Sequence, residues 1–147
     1  MASIKARLGA LTGAAALTAA LAVTGATPAS AEPDFKFDYF QLNRPGGGFI
    51  IDAWDGADFV GDGEWWRDPG DGKPGDTVVA YDGRADGYGI EAHLMTDPER
   101  IASTRGHAKG YEDRKSGNLR EGSDWVMYVC VVKGSFHKCS KEVVVYA

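Results

Sequence analysis

The chain has 147 residues, of which 44% are hydrophobic and 11% aromatic, so it is long enough to bury the core of one domain. Its formal net charge is −5, which argues against nucleic acid as a partner because phosphate binding needs clustered lysine and arginine. Its two cysteines are too few for a disulfide-rich mini-protein, and without a C-x-x-C or a histidine pair at zinc spacing they do not complete a zinc site.

Residues 1–31 have the three parts of a secretory signal peptide. Lys5 and Arg7 give a short positive segment, residues 8–23 are rich in alanine and leucine, and residues 29–31 form an A-x-A cleavage site. The apolar segment is too short, and too rich in glycine and threonine, to span the ~30 Å core of a membrane. We therefore expect residues 32–147, with a net charge of −7, to be one exported, extracellular and monomeric domain without membrane association.

The exported part alternates between short apolar segments and turn residues. Alternation from Phe35 to Tyr39 is typical of a half-buried strand. Similar runs predict further strands. Together the predicted strands cover residues 35–42, 49–54, 77–81, 89–95, 101–104, 125–132 and a run ending at 143–146. One helix candidate, residues 97–103, is too short to be stable alone. Strands at this spacing predict an all-β fold, an antiparallel β-sandwich of the immunoglobulin-like or a related type.

Residues 55–76 differ from the rest in composition, because aspartate, glycine and proline dominate. We interpret them as a long acidic loop with at most one short strand. Carboxylate oxygens suit calcium, and six aspartates fall here: Asp55, Asp58, Asp62, Asp68, Asp71 and Asp76. However, the EF-hand pattern is absent and Asp-Gly pairs form turns in the first place, so we predict no metal site and no cofactor.

The C-terminal segment from Asp124 to Tyr146 predicts a β-hairpin. Lys133-Gly134-Ser135-Phe136 suits a type II′ two-residue turn, with glycine at its first central position. Counting outward from that turn places Cys130 opposite Cys139 on a non-hydrogen-bonded rung, where Cα atoms lie about 4.5 Å apart. Disulfides accept this separation, so we predict a structural bond between the two cysteines.

Several motifs in residues 76–147 resemble those of a group of small secreted actinobacterial proteins. The motifs are Y-D-x-x-A-D-G-Y-G at residues 81–89, G-N-L-x-E-G at residues 117–122, and the late two-cysteine hairpin. The resemblance implies export and a small β fold. It implies no activity.

No arrangement of residues in the sequence indicates an enzyme. Glu64, beside two tryptophans, is the best candidate acid for glycoside hydrolysis, because aromatic neighbours raise the pKa of a carboxyl group. Ser135 and His137 are neighbours on a turn, without a G-x-S-x-G motif. The histidines His93, His107 and His137 are far apart in sequence, and only the fold can bring them together. We therefore expect a protein without catalytic residues.

Three tryptophans offer the sharpest hypothesis about binding. Trp54, Trp65 and Trp66 lie in or beside the acidic segment, and exposed, coplanar indole rings stack on sugar faces. The alternative is core packing, because neighbours in a strand point to opposite faces and at least one of the last two then faces inward. Two functions therefore compete: an extracellular interaction or structural protein, and a module that binds a glycan or another cell-surface component.

Overall fold

All regular secondary structure in the described part of the chain is β-strand. The computed structural model describes residues 32–43 and 46–147, so the predicted signal peptide at residues 1–31 lies outside the described residues. The ten strands are β1 (Phe35–Gln41), β2 (Phe49–Asp55), β3 (Asp58–Trp66), β4 (Thr77–Asp82), β5 (Gly89–Leu94), β6 (Arg100–Ser103), β7 (Glu112–Ser116), β8 (Asp124–Lys133), β9 (Phe136–Cys139) and β10 (Val143–Tyr146). Within these ranges no helix occurs, and the last four residues of the weak helix candidate at residues 97–103 form strand β6.

The strands form two antiparallel sheets of five strands each. The first sheet has the order β1-β2-β3-β4-β7, and the second has the order β10-β8-β5-β6. Strand β9 pairs with the same edge of β8 as β10 does, further along the strand. The chain changes sheet after β4, β6 and β7. The predicted all-β antiparallel fold is confirmed.

Apolar residues from both sheets meet in one core. Ile51 and Val78 come from the first sheet, Ile90 and Met127 come from the second, and none of the four is exposed. Because side chains alternate across a strand, most strands give every second residue to this core. In β8 every residue from 129 to 132 is buried, so the second half of that strand is buried on both faces.

The C-terminal hairpin has the predicted register. Lys133 pairs with Phe136 and Cys130 with Cys139. The cysteines are bonded, with their Cα atoms 4.0 Å apart, and Gly134 has a φ of +56° as the predicted turn requires. Beyond the disulfide the return strand is interrupted at Ser140, whose hydroxyl accepts a hydrogen bond from the Val129 N–H at 3.0 Å. The apolar run of the second strand therefore forms the separate strand β10.

Two strands lie where the sequence predicted irregular structure. The loop predicted over residues 55–76 allowed one short strand, and residues 58–66 form the nine-residue strand β3. Glycines 61 and 63 occupy inward positions of β3, so the alternation that identifies a strand is missing there. Strand β7 is polar throughout because it is an edge strand that pairs only with β4. The loop that follows β3 covers residues 67–76.

Candidate functional site

A cleft opens between the two sheets where β1 ends and β2 begins, beside the edge strand β10. It encloses about 180 Å³. This is less than the roughly 300–1,000 Å³ of pockets for drug-sized ligands, so the space suits one ring-sized group. We call it the sheet-end cleft, and six residues give it its chemical character: Gln41, Asn43, Phe49, Trp65, Arg67 and Tyr146.

Trp65 forms the inner wall of the sheet-end cleft. It is the eighth residue of β3 and belongs to the core, with 1% of its surface exposed. Its indole N–H donates a hydrogen bond of 2.9 Å to the Tyr146 carbonyl, which ties the first sheet to β10. Because this N–H is already bonded and the ring is almost fully buried, Trp65 shapes the cleft wall but offers a ligand little surface of its own.

Arg67 lies at the rim of the cleft, immediately after β3. Its carbonyl accepts a hydrogen bond from the Asp76 N–H at 3.0 Å, which closes the base of the 67–76 loop. Its side chain is about half exposed and donates from Nε to the Asp68 carboxylate at 3.0 Å. The backbone of Arg67 is therefore fixed while its guanidinium group faces solvent at the cleft.

The predicted tryptophan platform is wrong, because the indole rings do not lie side by side on the surface. Trp66 is 0% exposed, donates to the Glu64 carboxylate and carries the Lys73 ammonium 4.7 Å from its ring centroid. Trp54 is half-buried and packs edge-to-face on Phe59 at 5.4 Å. Of the three candidate residues, Trp65 lines the sheet-end cleft, and it does so as a buried wall rather than as an exposed ring.

Acidic side chains form a row across the outer face of the first sheet. Asp38, Asp52 and Asp62 are direct neighbours on β1, β2 and β3. Burial, and then the charges of Glu64, Asp52 and Glu112, raise the pKa of Asp62 to about 7. Burial and the charges of Asp38 and Glu64 also raise the pKa of Asp52. Directly opposed like charges destabilise a sheet, so this row opposes folding once it is ionised.

Lys73 partly compensates the negative charge of this acidic row. Its ammonium group lies 3.3 Å from Glu64 and 3.7 Å from Glu112. The best candidate acid of the sequence, Glu64, is thus held by a cation and by the Trp66 indole, as in a structural ion pair. Asp62, whose pKa is raised, lies on the sheet face and not in the sheet-end cleft.

The six aspartates considered for calcium are spread apart by β3. Asp55 and Asp58 flank the β2–β3 turn, whereas Asp62 lies in the middle of the strand. Asp76 is 7% exposed, and its carboxylate accepts a hydrogen bond from the Leu119 N–H at 2.7 Å. Within residues 32–43 and 46–147 no three metal-binding side chains come together.

Two of the three histidines enter one polar network on the outer face of the second sheet. His93 stacks on Tyr128 and contacts Glu99 at 3.1 Å. On its other side His93 is 3.7 Å from Glu91, and Arg105 connects that carboxylate to His137. The third, His107, stacks on Tyr111 elsewhere. These contacts fasten β5, β6 and the hairpin together, although His93 Nε2 is buried without a hydrogen-bond partner among the described residues.

The Ser135 and His137 pair does not form a catalytic arrangement. The imidazole Nδ1 of His137 contacts the Ser135 carbonyl at 3.1 Å, and Nε2 lies 3.2 Å from Arg105. Both ring nitrogens are thus engaged with groups other than the Ser135 hydroxyl. The side chain of His137 is placed as a turn residue.

Comparison with known proteins finds no family model, no curated protein and no solved structure that matches this chain. In the part of the chain that the structure describes, no helix is long and apolar enough to cross a membrane. The cleft was not predicted from the sequence, because its described walls come from parts of the chain that are distant from one another: residues 41–43 and 47–49, Trp65 with Arg67, and residues 144–146.

Proposed function

We propose that the protein is an exported, non-enzymatic binding protein that holds one sugar unit of a glycan in the sheet-end cleft. The observation that carries this proposal is the composition of the cleft. Gln41 and Asn43 carry amides, Phe49 and Tyr146 carry aromatic rings, and the buried Trp65 forms the inner wall. Export is supported by the sequence of residues 1–31, and the Cys130–Cys139 disulfide is compatible with an oxidising compartment.

A sugar ring fits these two kinds of surface. Its hydroxyl groups both donate and accept hydrogen bonds, and a primary amide offers both functions in one plane. Its C–H faces pack on aromatic rings, as other apolar surfaces do. The volume of about 180 Å³ limits the ligand to a single ring-sized unit, such as a chain end or a branch.

The cleft favours binding over hydrolysis. Glycoside hydrolysis uses two carboxyl groups on either side of the scissile bond. Among the described residues that line the cleft, none carries a carboxylate, an imidazole or a thiol. The most perturbed carboxyl group, that of Asp62, lies on the outer sheet face instead.

Binding is tested by retention of the purified protein on insoluble polysaccharides and on bacterial cell walls, followed by titration with soluble fragments. We expect the protein to be retained on at least one of these materials, with a change in tryptophan fluorescence because Trp65 forms the cleft wall. The Gln41→Ala and Tyr146→Ala variants should lose retention. The exposed Lys109, which lies outside the cleft, provides the matched control Lys109→Ala.

The proposal fails if no polysaccharide or cell-wall preparation retains the wild-type protein. It also fails if Gln41→Ala and Tyr146→Ala bind as well as Lys109→Ala, because binding would then lie elsewhere on the surface. Turnover of a glycoside substrate by the wild-type protein would overturn the non-enzymatic part.

A further inference from the structure

The sheet-end cleft contains a single charged side chain among the described residues that line it. That residue is Arg67, and the remaining lining groups are amides, glycines and apolar side chains. The chain as a whole carries a net charge of −5. The Asp68 carboxylate offsets the charge of Arg67, but the described lining of the cleft presents a guanidinium group and no carboxylate, which favours an anionic ligand group.

The guanidinium group of Arg67 keeps most of its donors available. Arginine has five N–H donors, and Nε is the one that contacts Asp68. For the four donors on Nη1 and Nη2, no hydrogen-bond partner is found among residues 32–43 and 46–147. The ion pair with Asp68 is about half exposed on both sides, so it holds the side chain only weakly.

The backbone beside Arg67 leaves room for its guanidinium group. Gly47, another residue of the cleft wall, has a φ of +52°, and a Cβ atom there would lie 3.0 Å from Nη2 of Arg67. The Asp68 N–H also donates to the Gly46 carbonyl at 2.8 Å, which holds the two segments together. The guanidinium therefore lies against a glycine backbone at the cleft, and within residues 32–43 and 46–147 its paired Nη donors have no partner that would compete with a planar anion.

We infer that the sugar unit bound in the sheet-end cleft carries a carboxylate, which Arg67 binds through Nη1 and Nη2. This inference rests on the proposed function and adds the class of ligand. The fork of a guanidinium group matches the two oxygens of a carboxylate, and hydrogen bonds between charged partners are about twice as strong as neutral ones. The ligand is then a uronic acid or another acidic sugar at a chain end.

The test compares matched pairs of sugars that differ only in the carboxylate. Methyl glucuronide is compared with methyl glucoside, and methyl galacturonide with methyl galactoside, by tryptophan fluorescence and ligand-observed NMR. We expect the acidic member of at least one pair to bind about tenfold more tightly than its neutral partner, with an affinity that falls as salt increases. Arg67→Gln should abolish this preference, and Arg67→Lys should restore part of it.

Arg120 provides the control, since it is exposed and does not line the cleft, so Arg120→Gln should leave the preference unchanged. If neutral and acidic members bind equally well, or if Arg67→Gln keeps the preference, the inference is overturned while the proposed sugar-binding function stands. If no member of either pair binds, the inference is overturned as well. Retention on polysaccharides then decides separately whether the proposed function also fails.

Discussion

Replacing Asp62 by asparagine should stabilise the protein above pH 7 and reduce the dependence of its stability on pH. Asp62 lies between Asp52 and the neighbouring strand β4 on the outer sheet face, and its Oδ1 atom is buried without a hydrogen-bond partner among the described residues. Asparagine has nearly the same shape but carries no charge. The Asp62→Asn variant therefore removes the repulsion and retains the packing.

The structure gives both the sign and the size of this effect. The pKa of Asp62 is about 7 in the folded protein and 3.8 for an unperturbed aspartate. The unfolded chain thus releases this proton at lower pH than the folded chain does, so stability is greatest in acid and falls as pH rises through this window. Each pKa unit corresponds to about 1.4 kcal/mol of folding stability. The stability lost as pH rises is therefore at most ~4 kcal/mol over the whole window and ~3 kcal/mol between pH 5 and 8.

The assay is urea unfolding, followed by tryptophan fluorescence, at pH 5, 6, 7 and 8. The free energy of unfolding of Asp62→Asn, relative to the wild type, should increase by up to ~3 kcal/mol from pH 5 to pH 8. Asp124→Asn, at an exposed position on β8, is the control and should follow the wild type. A constant difference between Asp62→Asn and the wild type over this range would refute the reasoning.

Two further substitutions test the close approach of the two sheets and a buried hydrogen bond within the second sheet. Gly63→Ala should destabilise the protein by ~3 kcal/mol or prevent folding, because its Cβ would lie 2.3 Å from Val129 of the facing sheet. Gly122→Ala, with open space around it, should lower the free energy of unfolding by only ~1 kcal/mol. Equal losses of stability in the two variants would contradict this. Thr104→Val should lose ~1–3 kcal/mol, because the buried hydroxyl accepts the Ile90 N–H at 2.7 Å. Faster hydrogen exchange at Ile90 in Thr104→Val, but not in Thr104→Ser, would identify that bond as the cause.

The C-terminal hairpin could be predicted in detail because its determinants are local. A glycine-led turn fixes the register over the next few rungs, and the register in turn places Cys130 opposite Cys139. The interruption at Ser140 could not be predicted in this way. It depends on whether a side-chain hydroxyl or a backbone carbonyl accepts the hydrogen bond of the Val129 N–H. Nothing in the apolar pattern distinguishes the two.

Strands β3 and β7 were missed for opposite physical reasons. In β3 the inward positions at Gly61 and Gly63 have no side chains, because the facing sheet approaches the backbone there. In β7 the position at the edge of the sheet removes the need for apolar residues. Periodicity detects burial of side chains, so it cannot detect a strand that buries its backbone or one that stays in solvent.

The tryptophans and the cleft have a common explanation. Alternation correctly places Trp65 and Trp66 on opposite faces of β3, and it cannot say whether the outer face is covered. Here the outer face is covered, since Lys73 lies over the Trp66 ring and a Cβ at Gly46 would come within 3.4 Å of it. Arg67, the residue that follows the covered Trp66, lies at the cleft. The cover of Trp66 and the walls of the sheet-end cleft both depend on contacts between segments that are separated along the chain, and a local pattern in the sequence shows neither.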